Sequence, residues 1–397
     1  MSHIDSLSRP LSHPLSRRAF ITRAGVAAAT LAMPRPVFAG NGTQWQRTVV
    51  LIELNGGNDG LNTVVPYRDP LYRDFRPTLA LPHDQIAQLD ENLGLHPALA
   101  PLMPHWQRQH MAIALGVGYP QPNLSHFQSI DIWETASADG DDDGWIARLF
   151  AKNPPPKTAA ADGIILGRDR LGPLAGPRMR TLGMRKPKAL RQVAMRDGDD
   201  RPTASWPALA HILKTRKQLR QSAAQIIEKR LDTLDLGTTF PKHGFGQQMQ
   251  TAARLIIGGT GVPVIKCSLG SFDTHGNQKN THARLLAQLA TGVAAFAAAM
   301  EHAGRWDEVL LMTYGEFGRR PRENASGGTD HGTAAPHFVL GGRVRGGFQG
   351  EQPPLDRLEG NNLAYRLHFN RLYASIARDW WGLRGGAFDA RPLDLIG

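Results

Sequence analysis

Cysteine is almost missing: the 397-residue chain has one, Cys267. A lone thiol cannot close an internal disulfide, so the fold must stand on its own core. Cys267 lies in Val264-Ile265-Lys266-Cys267-Ser268-Leu269, without the His or Asn context of a nucleophile, and packing is its expected role. Long apolar runs are lacking too. Beyond the first forty residues none approaches the ~20 residues that span a bilayer, which predicts a soluble mature chain without stable membrane insertion. Acidic residues are in deficit, 35 Asp and Glu against 46 Lys and Arg, for a net charge of +11. That balance favours anionic partners. No nucleic-acid-binding motif accompanies it, and nucleic acid is not an expected partner. Much of the charge is spread over residues 168–201 and 214–230, as on a solvated basic face. No internal repeat is visible. What is plentiful is glycine (42) and proline (28), which predicts many sharply turned loops.

Residues 1–39 do not pattern as fold. Ser16-Arg17-Arg18-Ala19-Phe20-Ile21-Thr22 precedes a weakly apolar run from Ala24 to Met33 and a small-residue end at Val37-Phe38-Ala39. Charged, apolar and cleavage regions in that order are a bacterial export signal. The paired arginines resemble the twin-arginine pattern Ser/Thr-Arg-Arg-x-Phe-Leu-Lys, with Ile21 for Leu and Thr22 for Lys. An ordinary Sec signal is the competing reading. The twin-arginine reading implies passage through its translocase in the folded state and a periplasmic or secreted protein starting at residue 40. Removing this segment, with its five arginines and one aspartate, leaves a charge of +7.

In the rest, 40–397, buried-strand patterns fall at Thr48–Leu54, His110–Val117, Pro263–Leu269, Asp307–Thr313 and His337–Leu340. Helical patterns lie between them at Leu99–Arg108, Ser129–Ser137, Trp145–Phe150 and about Thr281–His302. Strands alternating with helices predict an α/β fold, a mostly parallel central sheet with helices on both faces. The stretch at about 152–245 opens on Asn153-Pro154-Pro155-Pro156, runs basic, and then turns into an amphipathic helix at about 206–234. It reads as a basic, cap-like helical insertion within one domain.

Ligands of parallel α/β sheets bind at the carboxyl ends of strands. The unusual polar residues sit there each time. The first strand ends in Asn55-Gly56-Gly57-Asn58-Asp59-Gly60, and the third in Gly270-Ser271-Phe272-Asp273-Thr274-His275-Gly276. The fourth ends in Tyr314-Gly315-Glu316-Phe317-Gly318-Arg319, followed by Gly328-Thr329-Asp330-His331-Gly332. Carboxylate and imidazole together suit zinc, manganese or iron, and the glycines let backbone bend around an ion. The Asp273/His275 and Asp330/His331 pairs carry this reading, and a hydrogen-bonded polar cluster is the alternative. Ser125, before a helix, is either its N-cap or a nucleophile.

Leu54–Asn62, Ser125-His126-Phe127, Phe272–His275, Glu316-Phe317-Gly318-Arg319 and Gly328–Gly332, in that order, resemble the bacterial family called domain of unknown function 1501. That family is grouped with the alkaline-phosphatase-like superfamily, beside sulfatases and phosphomutases. The resemblance implies an alkaline-phosphatase-like fold and one or two divalent ions, zinc or manganese. It implies metal ligands among Asp59, Asp273, His275, Glu316, Asp330 and His331. It also implies Ser125 as nucleophile, His126 as general acid or packing residue, and Arg319 as stabiliser of equatorial oxygens. Phe317 stands where the superfamily has a metal-binding residue, which favours one ion or an altered pair. The expected function is an exported metal-dependent hydrolase of phosphate or sulfate esters, acting on a small anionic ester through Ser125 or metal-bound water. A non-catalytic metal-binding periplasmic assembly or binding protein is the alternative, and a mutase or transferase on a cell-envelope sugar is a third.

Overall fold

Thr48-Val49-Val50-Leu51-Ile52-Glu53-Leu54 forms strand β1 (Thr48–Leu54), buried along its whole length. β-branched residues fit a pleated surface, and an unbroken apolar run belongs to a strand covered on both faces. The structure is a computed structural model that describes residues 43–168, 170–184, 221, 224, 226, 231–383 and 390–397. The segment expected as an export signal, residues 1–39, and most of the helix expected at 206–234 lie outside the described residues.

The other strands, in chain order, are β2 (Val64–Val65), β3 (Ala87–Gln88), β4 (Gly94–Leu95), β5 (Met111–Gly118), β6 (Gly163–Leu166), β7 (Thr181–Met184) and β8 (Val264–Leu269). They continue with β9 (Val309–Tyr314), β10 (Arg319–Glu323), β11 (Thr329–His331), β12 (Ala335–Leu340), β13 (Gly347–Gln349), β14 (Leu358–Glu359), β15 (Asn362–Leu363) and β16 (Leu367–His368). The α-helices whose bounds fall among the described residues are α1 (Pro70–Phe75), α2 (Met103–Gln107), α3 (His126–Thr135), α4 (Trp145–Lys152), α5 (Gly244–Ile257), α6 (Gln278–His302) and α7 (Asn370–Ala374).

The main sheet runs β13-β5-β12-β9-β1-β8-β6-β7, with β16 added beside β5. β1 is parallel to β8 and β9, with Val50 opposite both Ile265 and Leu311. β12 alone among the central strands runs against its neighbours β5 and β9. The carboxyl ends of β5, β9, β1 and β8 therefore share one edge, where the polar loops emerge. Alternation along β1 splits the core in two. Val50, Ile52 and Leu54 pack with Phe245 and Met249 of α5 and Leu285 and Leu289 of α6. Val49 and Leu51 join Trp133 of α3, Trp145 and Leu149 of α4, and Tyr373 of α7. Each such large side chain stabilises the fold by about 1.5–3 kcal/mol relative to exposure.

Three local expectations need revision. β6 and β7 pair in parallel beside β8, so the opening part of the stretch expected as an insertion at 152–245 is an edge of the main sheet. The continuous helix expected from Leu99 is a 3-10 turn at Pro97–Leu102 followed by the short α2, because Pro101 has no N–H to give and disrupts α-geometry. α6 is long and apolar enough to cross a membrane by length and composition, contrary to the expected lack of such a stretch. Its Leu285, Leu286, Leu289, Val293, Phe296 and Met300 are buried in the protein core, while Lys279 and Arg284 are exposed.

Candidate metal centre

The loop after β1 needs its glycines. Gly56 has φ +115°, and a Cβ there would lie 2.4 Å from the Asp273 backbone nitrogen. Gly57 has φ +75°, and its Cβ would strike the Phe317 ring at 2.6 Å. Without side chains this turn lets the loops after β1, β8 and β9 close on one another.

Above them, donor atoms of His126, Asp273 and His331 all lie within 4.8 Å of one another. His126 Nε2 is 3.5 Å from Asp273 Oδ2, and His331 Nε2 is 3.3 Å from Asp273 Oδ1. His275 Nε2 joins from the same loop, 3.1 Å from Asp273 Oδ1 and 3.0 Å from His331 Nε2. These residues come from the start of α3, the loop after β8, and β11.

The Nδ1 side of each ring fixes its orientation. His331 Nδ1 is 2.9 Å from the Leu124 carbonyl, which can only accept, so Nδ1 carries the proton and Nε2 is bare. His126 Nδ1 is 2.8 Å from Glu316 Oε1, an oxygen that also accepts from the Gly56 N–H at 2.7 Å. The carboxylate holds His126 as the Nδ1–H form with Nε2 facing Asp273. His275 Nδ1 lies 3.5 Å from Asp330 Oδ1, and Asn324 Nδ2 donates to that oxygen at 3.1 Å. Nε2 of His126 and of His331 thus face the Asp273 carboxylate, with His275 Nε2 hydrogen-bonded beside them. His126 Nε2 and Glu316 Oε2 are buried with no hydrogen-bond partner among the described residues.

Charges around the cluster are tuned by contact. The hydrogen bond to Glu316 raises the His126 pKa. Burial lowers that of His331. Burial would raise the Asp273 pKa, but hydrogen bonding and charge from Arg319 bring it below the usual carboxylate value. The hydrogen bond from Asn324 lowers that of Asp330.

The other expected site residues lie elsewhere or do other work. Asp59 is fully buried, and Arg76 grips both its oxygens, at 2.5 and 2.8 Å. Gln278 Nε2 donates to Asp59 Oδ2 at 2.5 Å. The carboxylate is spent on an ion pair and is not among the clustered donors. Burial opposes ionisation of Asp59, but Arg76 outweighs it and the pKa falls. Arg319 is buried as well. Its Nε donates to Gly57 O at 2.7 Å, its Nη1 to Thr329 O at 2.8 Å, and its Nη2 to Gly56 O and to Asp273 Oδ1 at 2.6 Å. With its donors committed, Arg319 aims Asp273 and clamps loops; it does not present a free fork to a substrate. Glu316 and Asp330 back two histidines. Ser125 is the N-cap residue of α3, but its side chain makes no cap hydrogen bond. It is exposed, and Asn123 Oδ1 holds its N–H at 2.8 Å. Phe317 packs its ring on His126 and His331, with centroids 4.9 and 4.5 Å away. His282, buried on α6, is outside the cluster, and its Nε2 meets Asn58 Oδ1 at 2.9 Å.

Sequence reading missed Arg76 and Gln278 entirely and did not rank His126 as a ligand. The signal for His126 was its position at the start of a helix after a sheet strand.

The donor set fits a divalent cation. Bare imidazole nitrogens and a carboxylate, with the imidazoles held from behind by Glu316, Asp330 and a carbonyl, match a transition-metal site with its outer support. Nε2 of His275 and Nε2 of His331 are 3.0 Å apart and share Asp273 Oδ1 as a partner, at 3.1 and 3.3 Å.

A family model described as "Protein of unknown function (DUF1501)" matches residues 46–380. No curated protein matches the sequence. Among solved structures, the chain is similar to the lipoteichoic acid synthase LtaP from Listeria monocytogenes, at 8% identity and TM-score 0.37, covering 89% of this chain and 76% of that one. It is similar to the zinc complex of the C-terminal periplasmic domain of EcEptC from Escherichia coli, at 8% identity and TM-score 0.36, covering 74% and 72%. A third is the PsFucS1 sulfatase from Pseudoalteromonas sp., at 8% identity and TM-score 0.34, covering 85% and 68%.

Proposed function

We propose, from the premise that the chain belongs to the family described as protein of unknown function (DUF1501), that it is an exported, metal-dependent hydrolase of phosphate or sulfate esters. His126, Asp273 and His331 hold one divalent cation, zinc or manganese, with His275 beside Asp273 and His331. The observation that carries this reading is the convergence of His126 and His331 on the Asp273 carboxylate, with the donor atoms of all three within 4.8 Å of one another. A bound divalent cation supplies Lewis acidity: it polarises an ester oxygen and lowers the pKa of a bound water.

The chain's own residues set up the rest. Glu316 and Leu124 O keep protons on the outer nitrogens of His126 and His331. Arg319 fixes the Asp273 carboxylate. Ser125 offers an exposed side chain one residue before His126, suited to attack phosphorus or sulfur in line. The positive charge of the mature chain favours anionic substrates. The paired arginines at 17 and 18 support export through the twin-arginine route to the periplasm or beyond.

One observation favours the second reading, a metal-binding assembly or binding protein. His275 Nε2 lies 3.1 Å from Asp273 Oδ1 and 3.0 Å from His331 Nε2, and a site that drew it in as a fourth ligand would be closed, as structural sites are, where catalytic ones stay open.

The test is metal content and turnover on the same preparations. Purified mature chain should retain or rebind about one zinc or manganese ion and cleave an aryl phosphate, phosphodiester or sulfate, with loss of both in Asp273→Ala and His331→Ala. Turnover that survives Ser125→Ala assigns attack to water. Metal at full occupancy with no turnover on any ester favours the binding protein. A chain that takes up no divalent cation overturns both readings.

A further inference from the structure

We infer that Glu316 is a positioning residue: it acts through His126, fixing that ring for a cation, and is not itself a ligand. The inference rests on the metal reading above. Glu316 is fully buried in the loop after β9, at the end of the sheet, where its side chain reaches back to the turn after β1 and across to α3. Oε1 accepts two hydrogen bonds, from the Gly56 N–H at 2.7 Å and from His126 Nδ1–H at 2.8 Å. An ionised carboxylate has no proton to give, so the His126 tautomer follows from its partner. The second contact of Oε1 ties ring orientation to the turn whose glycines admit the Asp273 loop.

The charge of Glu316 has few answers. Among the described residues, Oε2 is buried without a hydrogen-bond partner and the carboxylate pairs with His126. A buried carboxylate placed behind one imidazole makes that nitrogen a better donor to a cation in front of it. The Phe317 ring, 4.9 Å from the His126 ring, keeps the imidazole from turning away. The opposite arrangement, with Glu316 ligating and His126 idle, would have to break both Oε1 hydrogen bonds or leave His126 Nε2 buried and unpaired.

The experiment measures Co2+ affinity and its visible absorption bands in the mature chain, in Glu316→Gln, Glu316→Asp and His126→Ala, and in the double variant Glu316→Gln/His126→Ala. Wild-type protein should bind one Co2+ with the bands of a low-coordinate nitrogen and oxygen site. Glu316→Gln preserves shape and an acceptor oxygen but removes charge, and should weaken Co2+ binding about 10–100-fold. In the His126→Ala background the same change should cost less than about threefold, because the residue through which it acts is gone. Thermal unfolding of the metal-free variants reports any loss of fold, and Glu316→Asp serves if the Gln form unfolds. Equal weakening with and without His126, or unchanged affinity in Glu316→Gln, overturns the inference. Absence of Co2+, Zn2+ and Mn2+ binding in the wild type overturns the parent reading instead.

Discussion

Lys266 offers a demanding test of how the sheet supports the site. It is a fully buried ammonium in the middle of β8, 3.0 Å from Glu53 Oε2 of β1 and 3.0 Å from Glu134 Oε1 of α3. The Arg170 carbonyl accepts a hydrogen bond from it at 3.2 Å. Replacing Lys266 with Met keeps length and removes the charge. Glu134 still has Arg170 Nε at 2.7 Å and the Tyr314 hydroxyl at 3.1 Å. Glu53 is left with the Ser268 hydroxyl at 3.2 Å and Arg168 Nη1 at 4.0 Å, whose side chain is half exposed and weakly effective. Leaving one partner of a buried ion pair uncompensated costs about 3–5 kcal/mol. Unfolding entropy near 2.1 cal/mol/K per residue gives roughly 0.75 kcal/mol/K for a unit of about 350 residues, so the loss should lower Tm by about 4–7 °C. Differential scanning calorimetry of the metal-free protein measures this directly. Adding Glu53→Gln should return at least half of the loss, since the stranded charge is then gone. A Tm within 1 °C of wild type for Lys266→Met, or no return with Glu53→Gln, would show that this cluster is not held as charges.

Other outcomes follow from neighbouring groups. His331→Ala and Asp273→Ala remove a donor outright and should weaken Zn2+ binding by more than the about 10–100-fold typical of an outer partner, as read by competition with a chelating dye. Arg76→Met strands the buried Asp59 carboxylate and should destabilise by about 3–5 kcal/mol in urea unfolding; an unchanged midpoint would contradict the ion pair. Burial lowers the pKa of His96 and of His282 to about 4. The unfolded chain takes up these protons near pH 6.5 and the folded chain resists until about pH 4, so stability should fall as pH drops through that window. At roughly 1.36 kcal/mol per pKa unit, each histidine contributes about 3 kcal/mol by pH 4. Equal urea midpoints at pH 7 and pH 4.5 would refute this.

The five central strands and the polar loops at their ends were legible because strands buried on both faces are short apolar runs, here followed by glycine-bearing loops. Gly163-Ile164-Ile165-Leu166 carries the same signal over only four residues, and its basic, proline-rich surroundings masked it. Asp273, His275 and His331 were readable as a donor set because each sits in a glycine-bearing loop beside another polar residue. Asp59 has the same local look, but its fate is decided by Arg76, seventeen residues away at the end of α1 and invisible to any local pattern. His126 depends on Glu316, 190 residues distant. Motif order identified the family while leaving the division of labour among these side chains to three-dimensional contact.

The strand order also bears on how the cluster responds to stress. His126 hangs from the end of β5 and Asp273 from the end of β8, with β12, β9 and β1 between them. At about 4.8 Å per strand spacing, their roots are separated by roughly 19 Å of sheet, and the loops lean inward to meet over the middle. Any change in twist across those five strands moves one donor against another. A coloured ion such as Co2+ seated there would act as a strain gauge for the whole sheet, its spectrum registering distortions introduced far from it.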